Sequence, residues 1–153
     1  MLEAGSPAPP LELEDTDGRT VRLADHRGHA VLLYFMRSTT CPVCRRHVRA
    51  LAGDTAFAAA GVRVLIAVPE DRATAAAWRA KDEVPFPVLT GRRGSPHELV
   101  GLGRAVFGAL QRSGSVLVDA EGVVRHAHSA TLPTGGYDRA GIAAAVAALG
   151  APA

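Results

Sequence analysis

Ala30-Val31-Leu32-Leu33-Tyr34-Phe35-Met36 is followed by Arg37-Ser38-Thr39-Thr40 and then Cys41-Pro42-Val43-Cys44, a strand–loop–helix signal. Its first part is a short continuous apolar run, the pattern of a strand buried on both faces. The polar link after it reads as a loop. Pro42 suits the first position of a helix, where its missing N–H costs nothing. Cys44, Val48, Leu51 and Ala52 then recur at helical spacing. Gly53 is placed to interrupt that helix, and Phe57 and Ala60 extend its apolar stripe towards Gly61. A buried strand followed by a covering helix is the first unit of an α/β fold.

Working outward, residues 1–10 are Pro-rich and read as extended. Residues 11–13 and 20–23 alternate as strands around the turn Asp15-Thr16-Asp17-Gly18, a hairpin. Residues 25–28 form a second turn. Residues 62–68 give another buried strand, ended by Pro69. Asp71 is placed to cap a helix over 72–82 with Trp78 inward. Residues 86–89 form a short strand. Ser95-Pro96 reads as N-cap and first position of a helix running through Leu99, Leu102, Val106 and Phe107. Residues 115–118 and 123–128 make a hairpin around Asp119-Ala120-Glu121-Gly122. Asp138 caps a last helix bearing Ile142, Val146 and Leu149. The order predicts one domain over 1–153: a mixed central sheet flanked by helices, with an N-terminal hairpin.

Composition excludes several classes. With 153 residues, 48% hydrophobic and 21% charged, the chain can build a core and is not a disordered one. Two cysteines three positions apart cannot staple a fold, because the loop they close is too short to restrict the unfolded chain. Sixteen of the seventeen basic residues are Arg, and the net charge is only +2. The cluster Arg45, Arg46, His47 and Arg49 reads as a solvated helix face. Aromatic content of 5% supplies few stacking platforms, so no nucleic-acid partner is expected. No run approaches the ~18 apolar residues of a membrane span. Residues 1–10 show no basic or apolar leader, so the expectation is a cytoplasmic, reducing setting.

The remaining signal is chemical. A cysteine at a helix start meets backbone N–H groups and the positive end of the helix dipole, and both favour the thiolate. Arg37 and Arg45 lie close enough in sequence to add positive charge. Cys44 shares the helix face, with its Cα roughly 5–6 Å away, within reach of a disulfide. Cys41 can attack an electrophile and Cys44 can resolve the product. The alternatives are two reduced core cysteines, or a zinc site from Cys41, Cys44 and His47 that lacks a second Cys-x-x-Cys. His126 and His128 read as ordinary strand histidines.

Residues 5–35 (GSPAPPLELEDTDGRTVRLADHRGHAVLLYF), Phe86-Pro87-Val88-Leu89 and SVLVDAEGVV at 115–124 resemble the alkyl hydroperoxide reductase/thiol-specific antioxidant (redoxin) superfamily, in the expected order and over nearly the whole chain. The resemblance implies a thioredoxin-like fold. Peroxiredoxins within it carry Pro-x-x-x-Thr/Ser-x-x-Cys and a distant Arg. With Cys41 as the attacking residue, Ser38 matches the hydroxyl position and Tyr34 stands where Pro is usual. The Arg position falls on Ser113, with Arg112 one residue away. The rival group, thioredoxin or TlpA-like disulfide reductases, matches in the ten positions from Val31 to Cys41. It departs at Thr40, where Trp is usual, and at Ser113, where a Pro is usual.

RSTTCPVCRRHVRAL at 37–51 looks most like peroxiredoxin-like proteins with Cys-Pro-x-Cys at the active helix. The resemblance implies a thiol peroxidase acting on hydroperoxides, with Cys41 as nucleophile and Cys44 as resolver. Ser38, the Cys41 backbone N–H and Arg112 would stabilise developing charge. A thioredoxin-type protein would be the reductant, and no cofactor or metal is called for. Many relatives dimerise, which leaves a homodimer open. Disulfide exchange through the same pair is the second expectation. The loops 92–96 and 131–137 are candidates to frame the pocket.

Overall fold

Burial on both faces fixes the centre of the sheet. In the computed structural model, which describes residues 2–92, 94–102, 104–105, 110–130 and 137–149, Val31–Phe35 forms a strand (β3) with every residue buried. It pairs in parallel with Arg63–Ala67 (β4) and antiparallel with Ser113–Val118 (β8). Beyond β4 lies Val88–Gly91 (β5), parallel to it. Glu12–Glu14 (β1) pairs antiparallel with β5 and with Thr20–Arg22 (β2). On the other side β8 pairs with Val124–Ala130 (β9). The seven-stranded order is β2-β1-β5-β4-β3-β8-β9, a mixed sheet of the thioredoxin type.

Alternation divides the core in two. Leu32, Tyr34, Met36, Val64, Ile66, Val88 and Leu117 face one side. They are covered by Pro42–Gly53 (α1), Thr55–Ala59 (α2), Arg72–Lys81 (α3) and Arg139–Leu149 (α5). Leu33, Phe35, Leu65, Ala67, Val116 and Val118 face the other. That face is closed by Leu11, Val100, Leu102 and the N-terminal segment, with Pro96–Leu99 (α4) beside it. Helical cover is therefore concentrated on the face that carries the cysteines.

The caps fall where the residue types place them. Asp71 Oδ1 accepts from Thr74 N–H at 2.8 Å and starts α3. After Gly53 the chain turns, and Asp54 Oδ1 accepts from Ala56 N–H at 3.0 Å to start α2. Asp138 Oδ1 accepts from Gly141 N–H at 3.1 Å at the head of α5.

The structure corrects three boundaries. The helix expected from Pro96 through Phe107 stops at Leu99, because Gly101 takes φ +76 and turns the chain. Arg104–Ala105 (β6) instead pairs with Leu110–Gln111 (β7); Val106 and Phe107 lie outside the described residues. The strand expected at 86–89 is shifted to Val88–Gly91, since Pro87 cannot donate to the ladder. Residues 23–26 form a 3-10 turn rather than the end of a strand.

Candidate active site

The site grows from the link between β3 and α1, and its backbone is tied down residue by residue. Met36 O accepts from His97 Nε2 at 2.6 Å. Arg37 N–H donates to Cys44 Sγ at 3.4 Å. Ser38 O accepts from Cys41 N–H at 3.3 Å. Thr39, buried, donates its N–H to both carboxylate oxygens of Glu70, at 3.2 and 2.9 Å, and its hydroxyl to the same group. These bonds bring β3, β4's downstream turn, α4 and α1 to one point.

Cys41 is the N-cap of α1, with Pro42 at the first helical position. Its Sγ accepts from Cys44 N–H at 3.3 Å, as a capping side chain does. Both cysteines are free thiols; Cys41 is 4% exposed and Cys44 0%. The Cys44 thiol has the Cys41 thiol and the Tyr34 hydroxyl as its polar side-chain neighbours. Burial, reinforced by the neighbouring Cys41, pushes the Cys44 thiol up to about 11. The pair is therefore asymmetric: one sulfur sits at the helix mouth, and the other is a protonated thiol behind it.

Neither Tyr34 nor His47 was expected from sequence as a catalytic residue; His47 was weighed there only as a zinc ligand. Tyr34 Oη lies 2.7 Å from His47 Nδ1. Their rings meet edge to face, 5.8 Å apart at 83°. Tyr137 packs against both rings, at 6.1 and 5.4 Å. The available signal was a phenol inside a run buried on both faces, since a buried Tyr hydroxyl needs a partner.

Other expected residues fall differently. Ser38 is half-buried, and its Oγ pairs with Thr40 Oγ1 at 3.1 Å. The Cys41 N–H, expected to face a substrate oxygen, is already engaged by Ser38 O; the donor aimed at Cys41 Sγ is the Cys44 N–H, one turn on. Arg45 does not face Cys41. Asp82 holds it by two bonds, at 2.7 and 2.8 Å, and the same carboxylate accepts from Trp78 Nε1 at 2.9 Å, which fastens α1 to α3. Arg112 is exposed, one residue ahead of β8, and no described hydrogen bond or ion pair links its guanidinium to Cys41. Ser113 is fully buried, and its position in β8 puts it on the cysteine face, in step with Ser115 and Leu117. Its Oγ has no hydrogen-bond partner among the described residues.

Arg92 bonds Glu12 Oε1 and Thr20 Oγ1, at 3.1 and 2.6 Å, and so braces the N-terminal hairpin. Residues 93 and 131–136 lie outside the described residues. His126 and His128 stack on β9, 6.5 Å apart, with His126 beside Asp138 at 3.5 Å. Among the described residues no helix is long and apolar enough to cross a membrane.

The AhpC/TSA family model matches residues 4–127. The chain belongs to the AhpC/TSA family. Among relatives, the chloroplastic peroxiredoxin Q of Oryza sativa subsp. japonica is 29% identical over 129 residues, 84% of this chain and 59% of that protein. A Mycobacterium tuberculosis protein that carries the name peroxiredoxin is 32% identical over 127 residues, 81% of this chain and 75% of its own. This AhpC/TSA chain thus spans about three fifths of the length of the chloroplastic relatives it matches. The crystal structure of peroxidoxin BcpB from Mycobacterium tuberculosis superposes with a TM-score of 0.77 at 21% identity, covering 97% of each chain, a likeness of fold. The thioredoxin-like architecture and the mixed sheet are those of the AhpC/TSA family.

Proposed function

We propose that this chain is a peroxiredoxin-like thiol peroxidase. The observation that carries the reading is the Cys41 Sγ at the mouth of α1, accepting the Cys44 N–H at 3.3 Å. The Cys41 thiolate attacks the distal oxygen of a hydroperoxide. The O–O bond breaks, the sulfur takes the OH as sulfenic acid, and the departing alkoxide takes a proton from solvent to leave as alcohol. The Ser38 hydroxyl, exchanging Thr40 for the substrate, and the Cys44 N–H bear on the developing charge. Cys44 then displaces the sulfenic oxygen as water and closes the Cys41–Cys44 disulfide. A thioredoxin-type dithiol protein restores both thiols, and a reducing compartment such as the cytoplasm would supply it. Family membership and the peroxiredoxin names of the relatives support hydroperoxide as the substrate class.

Stopped-flow oxidation of the reduced protein by hydrogen peroxide tests the reading. A second-order rate far above that of a free thiol is expected, and it should vanish in Cys41→Ser. A rate equal to a free thiol's would remove peroxide as the substrate. Arg112 forms a separate arm: Arg112→Ala loses most of the rate if the guanidinium reaches bound peroxide, and an unchanged rate takes Arg112 out of the site.

The second reading is a thiol–disulfide oxidoreductase. It is favoured by the short link from Phe35 to Cys41 and by two free thiols at one helix start. Cys41 would attack a protein disulfide and Cys44 would release the product by closing the ring. Reduction of insulin with dithiothreitol as donor, together with slow reaction with peroxide, selects it.

A further inference from the structure

Cys44 must lose a proton as it attacks the sulfenic acid, yet its residue is 0% exposed. Burial and Cys41 hold that proton on the sulfur, so water alone is a poor acceptor for it. The structure offers a protein path. Tyr34 reaches Cys44 with its hydroxyl from β3 and lies 2.7 Å from His47 Nδ1. His47 stands one turn after Cys44 on α1 and is half-buried, which leaves part of its ring in contact with solvent. Desolvation first, and then the charge of Arg46, pull His47 below its ordinary value, so the ring is neutral near pH 7 and can accept.

The groups around this imidazole are Arg46 on its own helix, Tyr34 from β3 and Tyr137 ahead of α5, while Cys41 and Cys44 bear on Tyr34. Tyr137 in turn feels Asp54 and Arg139. Among the described residues no carboxylate forms an ion pair with His47, so a proton gained there is not trapped.

We propose that Tyr34 and His47 are a proton relay for Cys44: its thiol proton passes to Tyr34 Oη while the Tyr34 proton passes to His47 Nδ1. The proposal rests on the peroxidase reading and deepens its second step. The S–S bond forms and the sulfenic S–O bond breaks. The departing hydroxide takes a proton from water, and the imidazolium returns one to solvent. The sum is sulfenic acid plus thiol giving disulfide plus water, with no further oxidant. Tyr34 and His47 touch the reacting thiol directly or through one hydroxyl. Positioned proton transfer of this kind is typically worth about 10²–10⁴-fold.

The test follows closure of the disulfide in the full-length reduced chain after one equivalent of hydrogen peroxide. Rapid quenching with a sulfenic-acid probe and mass spectrometry separate sulfenic acid from disulfide between pH 5 and 9. Tyr34→Phe and His47→Gln should slow closure tenfold or more, with sulfenic acid accumulating. In His47→Ala, added imidazoles should restore closure in order of their basicity, a response that a packing role would not give. Closure at the parental rate and pH profile in both variants overturns the relay, as does slow closure that no added base restores. If the parent itself forms no sulfenic acid, the peroxidase reading fails separately. The relay is then read on closure of a Cys41 mixed disulfide made with an aromatic disulfide reagent. That reaction needs the same Cys44 deprotonation, and the same variants should slow it.

Discussion

Lowering the pH from 7 to 5 should destabilise the fold through the buried His97. The residue is 0% exposed, with Nε2 2.6 Å from Met36 O, Nδ1 3.3 Å from Ser95 Oγ, and its ring edge-on to Phe35 at 5.3 Å. A carbonyl only accepts, so Nε2 carries the proton of the neutral ring. Burial pushes this imidazole down to about 4 from the ordinary 6.5, despite the opposing bond to Met36. Below 6.5 the unfolded chain binds a proton that the folded chain refuses until about pH 4. Unfolding therefore takes up protons in that window, and stability falls as pH falls. The contribution is complete above the unfolded value, shrinks by up to about 1.4 kcal/mol per pH unit, and levels off below about 4.

From pH 7 to pH 5 the expected loss is about 2 kcal/mol, or about 4–8 °C in Tm for a chain of this size. His97→Gln carries an amide nitrogen near the position of Nε2 and does not titrate. His26, His47 and His126 are also lowered by burial and lose stability in the same direction. Comparing parent with variant removes their share. Urea unfolding at pH 7 and pH 5 should show the parent losing about 2 kcal/mol more than His97→Gln. Equal losses in the two proteins would mean that His97 does not set this pH dependence. Because Met36 O precedes the Arg37 N–H that touches Cys44 Sγ, the acid-weakened protein should also loosen first at this link.

Glu70→Ala strips the acceptor from the buried Thr39 N–H and hydroxyl, and should cost about 1–3 kcal/mol in denaturant unfolding. It should also slow Cys41 oxidation; an unchanged rate would separate the Glu70 tie from the chemistry. Gly114→Ala would put a Cβ 2.4 Å from His128 O and 3.1 Å from Leu102 Cδ1. Overpacking against backbone should cost about 1–3 kcal/mol in the same assay, and a neutral outcome would mean β9 can yield there. Cys44→Ser should leave the sulfenic acid unresolved, so a probe of that group should label the oxidised variant far longer than the parent.

The parts of the fold written in local signals were legible. The run at 30–36, Pro42 after Cys41, and Asp71 ahead of an amphipathic segment each act within a few residues, and β3, α1 and α3 stand there. The overrun of α4 has the opposite cause. Leu102 and Val106 keep helical spacing, but the positive φ at Gly101 outweighs it, and the freed segment pairs as a strand. The site was half legible for the same reason. Cys41 and Cys44 announce themselves by spacing. Thr39 meets Glu70 across 31 positions, and His97 meets Met36 across 61, so only the sheet order brings them together.

Tyr34 shows how a departure from a family pattern becomes intelligible in three dimensions. Peroxiredoxins place a proline seven residues before the attacking cysteine. With Cys41 read as that cysteine, as proposed, the position lies inside β3, between Ile66 of β4 and Ser115 of β8, where a proline would remove a ladder hydrogen bond from a central strand. Its place inside β3 therefore disfavours proline at this position. A β-compatible aromatic fits the ladder, and its ring fills the layer beneath α1. The hydroxyl then has to find partners inside the protein, and it finds Cys44 and His47. The short link to α1 is held at Met36, Arg37, Ser38 and Thr39, which fixes Cys41 at the helix mouth. The rigid link and the proposed proton path for Cys44 share this geometry, and Tyr34→Phe separates them: it leaves the four backbone ties in place and removes only the hydroxyl.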